Sequence, residues 1–493
     1  MKIGKLQCLL LTPLAALLLA AAPTEAPSIE KQLAAAASLV DANKSDEALV
    51  LLDAMRAATD LPIERGQIEG LRSFALARAN RIPEARQAIE ASVGSSPAPS
   101  MLLLRQLFLL RAFDSDPKGA GDTLLLIAAT DPKGLNTLPT EVVSDVMRVS
   151  QADKNRAFEL DYALVTAGWS PADTTLSDLD DLRERLIGAL VAQGRTDDAQ
   201  AIVPNILNPA VLLHLGIDRR YTALWPAIER QLGPASKTAS EAYVTAARAR
   251  FDKAPTSLIA RLGFAQALNI AAREPEAIVV ANAATPPEAL AVLTDREVWL
   301  VNLHAALLGD AGKIDEALAR IAALTATPGA ARPGMAATVI NEVLLAQSLG
   351  RAKTALTLAE TAAARPALNG FARLYLAQAQ ACALTDLGRK GEAATAAAPL
   401  IAEPEANDDA FLAAMICLGR TDAAAAAIVK RLASADDRGA MLFELQPFLI
   451  NDRPTPRDVQ QRAALRALKA RPDVKAAFLQ AGRDLPAAVA PPR

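Results

Sequence analysis

Few side chains in this 493-residue chain are of the kind that does chemistry. The two histidines, His214 and His304, stand far apart in unlike contexts, and each reads as a packed helix residue. There is no H-E-x-x-H, no paired C-x-x-C, no phosphate-cradling G-x-x-x-x-G-K-[ST], no G-x-G-x-x-G after a strand and no G-x-S-x-G elbow. The densest carboxylate cluster, Ser177-Asp-Leu-Asp-Asp181, has the oxygen ligands a hard cation would need. It reads more simply as a helix start, because the positive end of the helix dipole favours carboxylates there. A two-carboxylate glycosidase mechanism has acids enough, but no α+β segment is left over to carry it. The chain is therefore expected to be no enzyme, with no catalytic, cofactor or metal residues. Trp169, Trp225 and Trp299 are the only tryptophans. Each is expected in the core, and any that lined a groove would be a binding anchor.

The elements that would have to position such residues are helices. Apolar residues make up 52% of the chain and aromatics only 4%, and alanine dominates. Alanine is the best helix former, whereas a β protein would need far more β-branched and aromatic residues. The net charge of −3 gives no electrostatic reason to expect nucleic acid as a partner.

One stretch organises the helices, Leu308-Gly-Asp-Ala-Gly-Lys-Ile-Asp-Glu-Ala-Leu-Ala-Arg320. Gly312 supplies the positive φ that ends a helix. Asp315 and Glu316 suit the first turn of the next helix, with Asp315 an alternative N-cap. Ala317 is small enough to let the two helices approach closely. The same five-residue offset recurs as Asn43…Ala48, Asn80…Ala85, Gly194…Ala199, Gly350…Ala355, Gly388…Ala393 and Gly419…Ala424. Ala272…Ala277 is a degenerate copy and Ala152…Ala157 a fainter one. From Ala277 to Ala317 is 40 residues, then 38 to Ala355, 38 to Ala393 and 31 to Ala424. From Ala48 to Ala85 is 37, and from Ala85 to Ala199 is 114, or three times 38. A near-constant step of this size marks stacked helical hairpins that cannot bury their apolar faces alone.

This pattern resembles tetratricopeptide repeats (TPR). With Ala317 as the second-helix small residue, Ala305 and Leu308 fall at the family's first-helix small and large positions. Ile321 falls at its aromatic position and Pro328-Gly329 near its helix-ending proline; Ala381, Leu384 and Ala393 repeat the match, while Val343 breaks it. The step is longer than the family's, and its Trp and Tyr positions are mostly Val, Ala or Leu. The resemblance implies an all-α, right-handed superhelix of stacked antiparallel helix pairs. It also implies a scaffold that binds a protein or peptide on its concave face without catalytic residues.

The N-terminus bears on compartment. Lys2 and Lys5 precede a largely apolar run to Ala22 that ends in small residues, which reads as a signal peptide over residues 1–22. The mature chain is then expected to be exported and periplasmic, with an envelope protein as partner and no integral span. The expected organisation is a degenerate repeat half over 29–232 and regular repeats over 233–431, with a break at Gly233-Pro-Ala-Ser-Lys237. Capping helices over 432–482 and a disordered Pro/Ala tail over 483–493 follow. Of the cysteines left after cleavage, Cys382 lies 11 residues before Ala393 and Cys417 lies 7 before Ala424. In an oxidising compartment the pair invites a disulfide, but on unequal rungs the two read first as buried free thiols. A second functional reading is a helical protein that binds or processes cell-wall glycan or exopolysaccharide.

Overall fold

The computed structural model describes residues 28–283, 286–327, 334–365, 368–447 and 454–491. The signal segment, Thr285, Pro328-Gly329 and Pro366 lie outside the described residues.

Turn geometry explains the repeat. At Gly312 φ is 77°. Its N–H donates to the Gly309 carbonyl (2.9 Å), and the next N–H, of Lys313, donates back to the Leu308 carbonyl (2.8 Å). These two bonds satisfy carbonyls that the helix Val298–Asp310 would otherwise leave open. The Lys313 carbonyl then accepts from Ala317 N–H at 2.9 Å, so Lys313, and not Asp315, stands at the N-cap of the helix Ile314–Thr325. Asp315 and Glu316 occupy its first turn.

Positive φ recurs at Asn43, Asn80, Gly194, Ala272, Gly350, Gly388 and Gly419. Ala48, Ala85, Ala199, Ala277, Ala317, Ala355, Ala393 and Ala424 are all fully buried. Ser115 also has φ of 59° and stands five residues before buried Ala120. At the faint Ala152 copy the turn is different, with Asp153 capping the helix Lys154–Thr166 through its side chain. Ala157 is nevertheless buried. The long interval from Ala85 to Ala199 thus divides at Ala120 and Ala157 into 35, 37 and 42 residues.

Successive hairpins stack through shared clusters. Leu308, Ala317 and Leu349 pack with Ile278 and Leu345, three repeats in one apolar knot. The chain is all-α: among the described residues, strand-like pairing is confined to an isolated bridge between Asp218 and Gly482. None of the described helices is long and apolar enough to cross a membrane.

The chain forms two compact units, 1–172 and 173–493. This division follows Gly168-Trp169-Ser170-Pro171, not Gly233. Gly233 (φ 68°) and the left-handed pair Ala235 and Ser236 lie inside the second unit, where they receive Ala488 and Val489. Ala235 N–H donates to the Ala488 carbonyl (2.9 Å) and Ser236 Oγ to the Val489 carbonyl (2.6 Å).

The expectation of a disordered tail is therefore corrected for 483–491. Arg483 pairs with Glu229 (2.6 Å) and lies over the Trp225 ring (3.6 Å), and Leu485 is buried. A Pro/Ala composition looks disordered in isolation, but these partners stand far earlier in the chain. Upstream, the helix Arg438–Glu444 packs on Pro209–Ile217, and Arg220 donates to the Ala435 carbonyl (2.8 Å). The last helices thus meet the first part of the second unit.

The thiol expectation is also corrected. Cys382 and Cys417 form a disulfide, with Cα atoms 5.2 Å apart. Their four-residue offset is about one helical turn. Both side chains therefore leave the same face of the neighbouring helices Gly370–Asp386 and Asp408–Cys417, one turn out of step.

Candidate functional site

The acidic stretch builds one wall of a cavity in the second unit. The helix Leu176–Ala192 opens with a capping box: Asp178 N–H donates to Thr175 Oγ1 (3.2 Å) and Thr175 N–H to Asp178 Oδ2 (2.8 Å). Arg296 reaches across to Asp178 at 2.6 Å. Asp180 turns inward, where the Leu207 and Asn208 N–H groups (2.8 and 2.6 Å) and Arg183 (2.6 Å) bond it. Burial still raises its pKa against those bonds. Asp181 faces the cavity. Its side chain is exposed at the cavity, while the walls around it hold off part of its water. With Glu184 and Asp178 close by, this pushes its pKa up to about 6.

Three helices complete the enclosure, Leu258–Ile270, Val298–Asp310 and Gly334–Ser348, the first members of successive pairs. Helical spacing brings Trp299, Asn302, Leu303 and Ala306 to the cavity from the middle helix. Asn302 Nδ2 donates to Val298 O (2.8 Å) and Thr338 Oγ1 (3.1 Å), and Asn341 Nδ2 donates to Asn302 Oδ1 (3.0 Å). These bonds fix both amides. The buried Oε1 of Gln266 accepts no hydrogen bond among the described residues. Trp299 is 46% exposed, and the cavity measures about 750 Å³. It is therefore a roomy apolar recess with polar groups on its rim, the usual form of a ligand site.

None of the turn glycines and second-helix alanines singled out in the sequence lines this cavity; they set the spacing of the helices that do. Ile321, at the family's aromatic position, contributes to its floor. His304 is buried outside it, and burial, with Arg320 nearby, lowers its pKa to about 4. His214 lies 3.6 Å from Glu184 and edge-on to Phe443. Trp169 is core in the first unit, and Trp225 is half-buried with its indole N–H on the Leu215 carbonyl (3.2 Å). Among the described residues no group of three or more His, Cys, Asp or Glu is placed to hold a metal ion.

First helices facing a recess, second helices behind them and positive-φ turns between are the arrangement the repeat implied. The chain is a TPR-like helical-repeat protein. No family model matches the sequence, and no curated protein matches it. Three solved structures are similar in part. "Structure of Naa15/Naa10 bound to HypK-THB" matches at 13% identity over 92% of this chain and 79% of that one, with a TM-score of 0.26. The pentatricopeptide repeat protein PPR10 from maize matches at 13% identity over 85% and 70%, with a TM-score of 0.34. The APC/C hetero-tetramer Cut9-Hcn1 matches at 11% identity over 92% and 90%, with a TM-score of 0.28. At these scores the matches say nothing about ligand or partner, and the fold rests on the helix-pair geometry itself.

Proposed function

We propose that this protein is an exported, periplasmic, non-catalytic scaffold that binds a protein partner of the cell envelope in the cavity of its second unit. The observation that carries the binding reading is the half-exposed Trp299 on the wall of a 750 Å³ recess. Large aromatics left open in a pocket are the side chains that dominate interface energetics. Export is supported by the basic and then apolar residues 2–22, and by the Cys382–Cys417 disulfide, a bond that persists in oxidising compartments. A photo-reactive amino acid at Leu303, in the cavity wall, tests the reading in cells. A covalent adduct to one polypeptide, lost in Trp299→Ala, is expected. Labelling that is absent, or indifferent to Trp299→Ala, refutes it. N-terminal sequencing of the mature chain tests export, with a start near residue 23 expected and an intact Met1 refuting it.

A second reading is glycan binding, which the fixed amides of Asn302 and Asn341 beside an open indole favour. Retention of wall or exopolysaccharide fragments, lost in Trp299→Ala, would select it over the first. Failure to retain any fragment would remove it.

A further inference from the structure

The acids at the cavity rim have unequal fates. Asp178 is neutralised by Arg296, and Asp180 is taken up by two backbone N–H groups and Arg183. Asp178 and Asp181 both line the cavity, and at Asp181 the attraction of Arg185 on its own helix is outweighed by the acids Glu184 and Asp178. An ionised carboxylate at the edge of an apolar recess, with two further acids beside it, gains from a cation brought against it. On other walls stand Trp299, whose ring face attracts cations, and Leu262, Leu303 and Leu344, which suit an alkyl stem.

We propose that the cavity receives one lysine or arginine side chain from a segment of the partner protein, its charged head on Asp181 and its stem along Trp299. This rests on the partner-binding reading above and names what that partner must present. One uncompensated carboxylate selects one cation and not a polybasic tract, and Arg296 on the same rim disfavours more. The cavity is larger than one side chain, so the basic residue is flanked by apolar neighbours that the leucines cover.

The charged and titratable groups around Asp181 are Asp178, Asp180, Glu184 and Arg185 on its own helix and Arg296 across the cavity. Tyr243 also senses its charge, and His214 faces Glu184. Binding should strengthen as pH rises from about 5 to about 7.5, as the Asp181 carboxyl ionises. In the Asp181→Asn variant that dependence should disappear.

The test is a phage-displayed library of random twelve-residue peptides, selected against the full mature chain and against Asp181→Asn. Peptides enriched on the wild type should share one Lys or Arg at a fixed place among apolar residues. Such a peptide, resynthesised, should bind Asp181→Asn about tenfold more weakly. Replacing its basic residue by Gln should lose the same factor, with little further loss when both changes are combined. Enriched peptides without a basic residue, still dependent on Trp299, would overturn this inference and leave the partner reading standing. No enriched peptide dependent on Trp299 would remove both. Thermal unfolding of Asp181→Asn, with a midpoint no lower than that of the wild type, checks that weaker binding is not loss of fold.

Discussion

Ala272 and Gly312 occupy the same place in successive turns, with φ of 56° and 77°. An L side chain in this region costs about 1–2 kcal/mol. At Gly312 no neighbour adds to that cost, because a Cβ built there meets nothing within 4 Å. Replacing glycine also reduces the freedom of the unfolded chain, which returns about 0.4–1 kcal/mol. The two terms leave Gly312→Ala destabilising by about 0.5–1 kcal/mol, and Ala272→Gly stabilising by about the same amount. For a unit of this size each change moves the melting midpoint by only about 1 °C. Native-state hydrogen exchange is therefore the sharper assay, since opening in a repeat array is local. The amides to follow are Arg273, bonded to the Leu268 carbonyl, and Lys313, bonded to the Leu308 carbonyl. Exchange at Arg273 should slow in Ala272→Gly, and exchange at Lys313 should quicken in Gly312→Ala. If Ala272→Gly quickens exchange, or if both variants are silent, the account of the turn is wrong.

Other perturbations test other links. Reduction of Cys382–Cys417, which closes a 35-residue separation, should lower the stability of the second unit by about 3–4 kcal/mol on the chain-entropy estimate; thermal melts with and without reductant, with thiol trapping, measure it. His304 is held neutral in the fold with its pKa lowered to about 4, so the unfolded chain takes up a proton first as pH falls below about 6.5. Its contribution is present above about pH 6.5 and is lost towards pH 4, by up to about 3 kcal/mol; His304→Gln should flatten that limb of a stability–pH profile. Asp181 has the opposite sign, since its raised pKa makes the ionised form unfavourable at neutral pH. The Asp181→Asn variant should accordingly melt higher than the wild type at neutral pH while binding its peptide more weakly. Deleting residues 483–493 removes the Arg483–Glu229 pair, the Arg483–Trp225 contact and the burial of Leu485. A loss of about 2–4 kcal/mol is expected, with a change in Trp225 fluorescence.

The repeat was legible because its signals are local. A positive-φ residue and an alanine five positions on can be read without knowing what packs against them. Ser115 escaped because serine rarely adopts positive φ, and only the surrounding turn dictates it there. The cysteine pair escaped because equal rungs were required, whereas neighbouring helices can pair one turn out of step. The site was less legible still. Ser177–Asp181 reads as a helix start, and Asp178 does cap the helix, although its pairing with Arg296 could not be read there. What separates Asp180 from Asp181 is the approach of Leu207 and Asn208 on one side and the open recess on the other. The exposure of Trp299 at the recess has the same kind of origin. Its surroundings come from helices that begin at residues 176, 258 and 334, and no periodicity within one helix announces them.

The meeting of residues 482–489 with residues 209–236 has a consequence for how this protein can change over time. Open repeat arrays lengthen or shorten readily by gain or loss of a unit, because each unit answers only to its neighbours. In the second unit, Arg483 must find Glu229 and Trp225, and Gly482 must approach the Ile217 carbonyl so closely that an added Cβ would stand 2.5 Å from it. One extra hairpin anywhere between would carry those partners apart. The number of repeats between those partners is thereby constrained, and variation there is left to single substitutions within a fixed circuit.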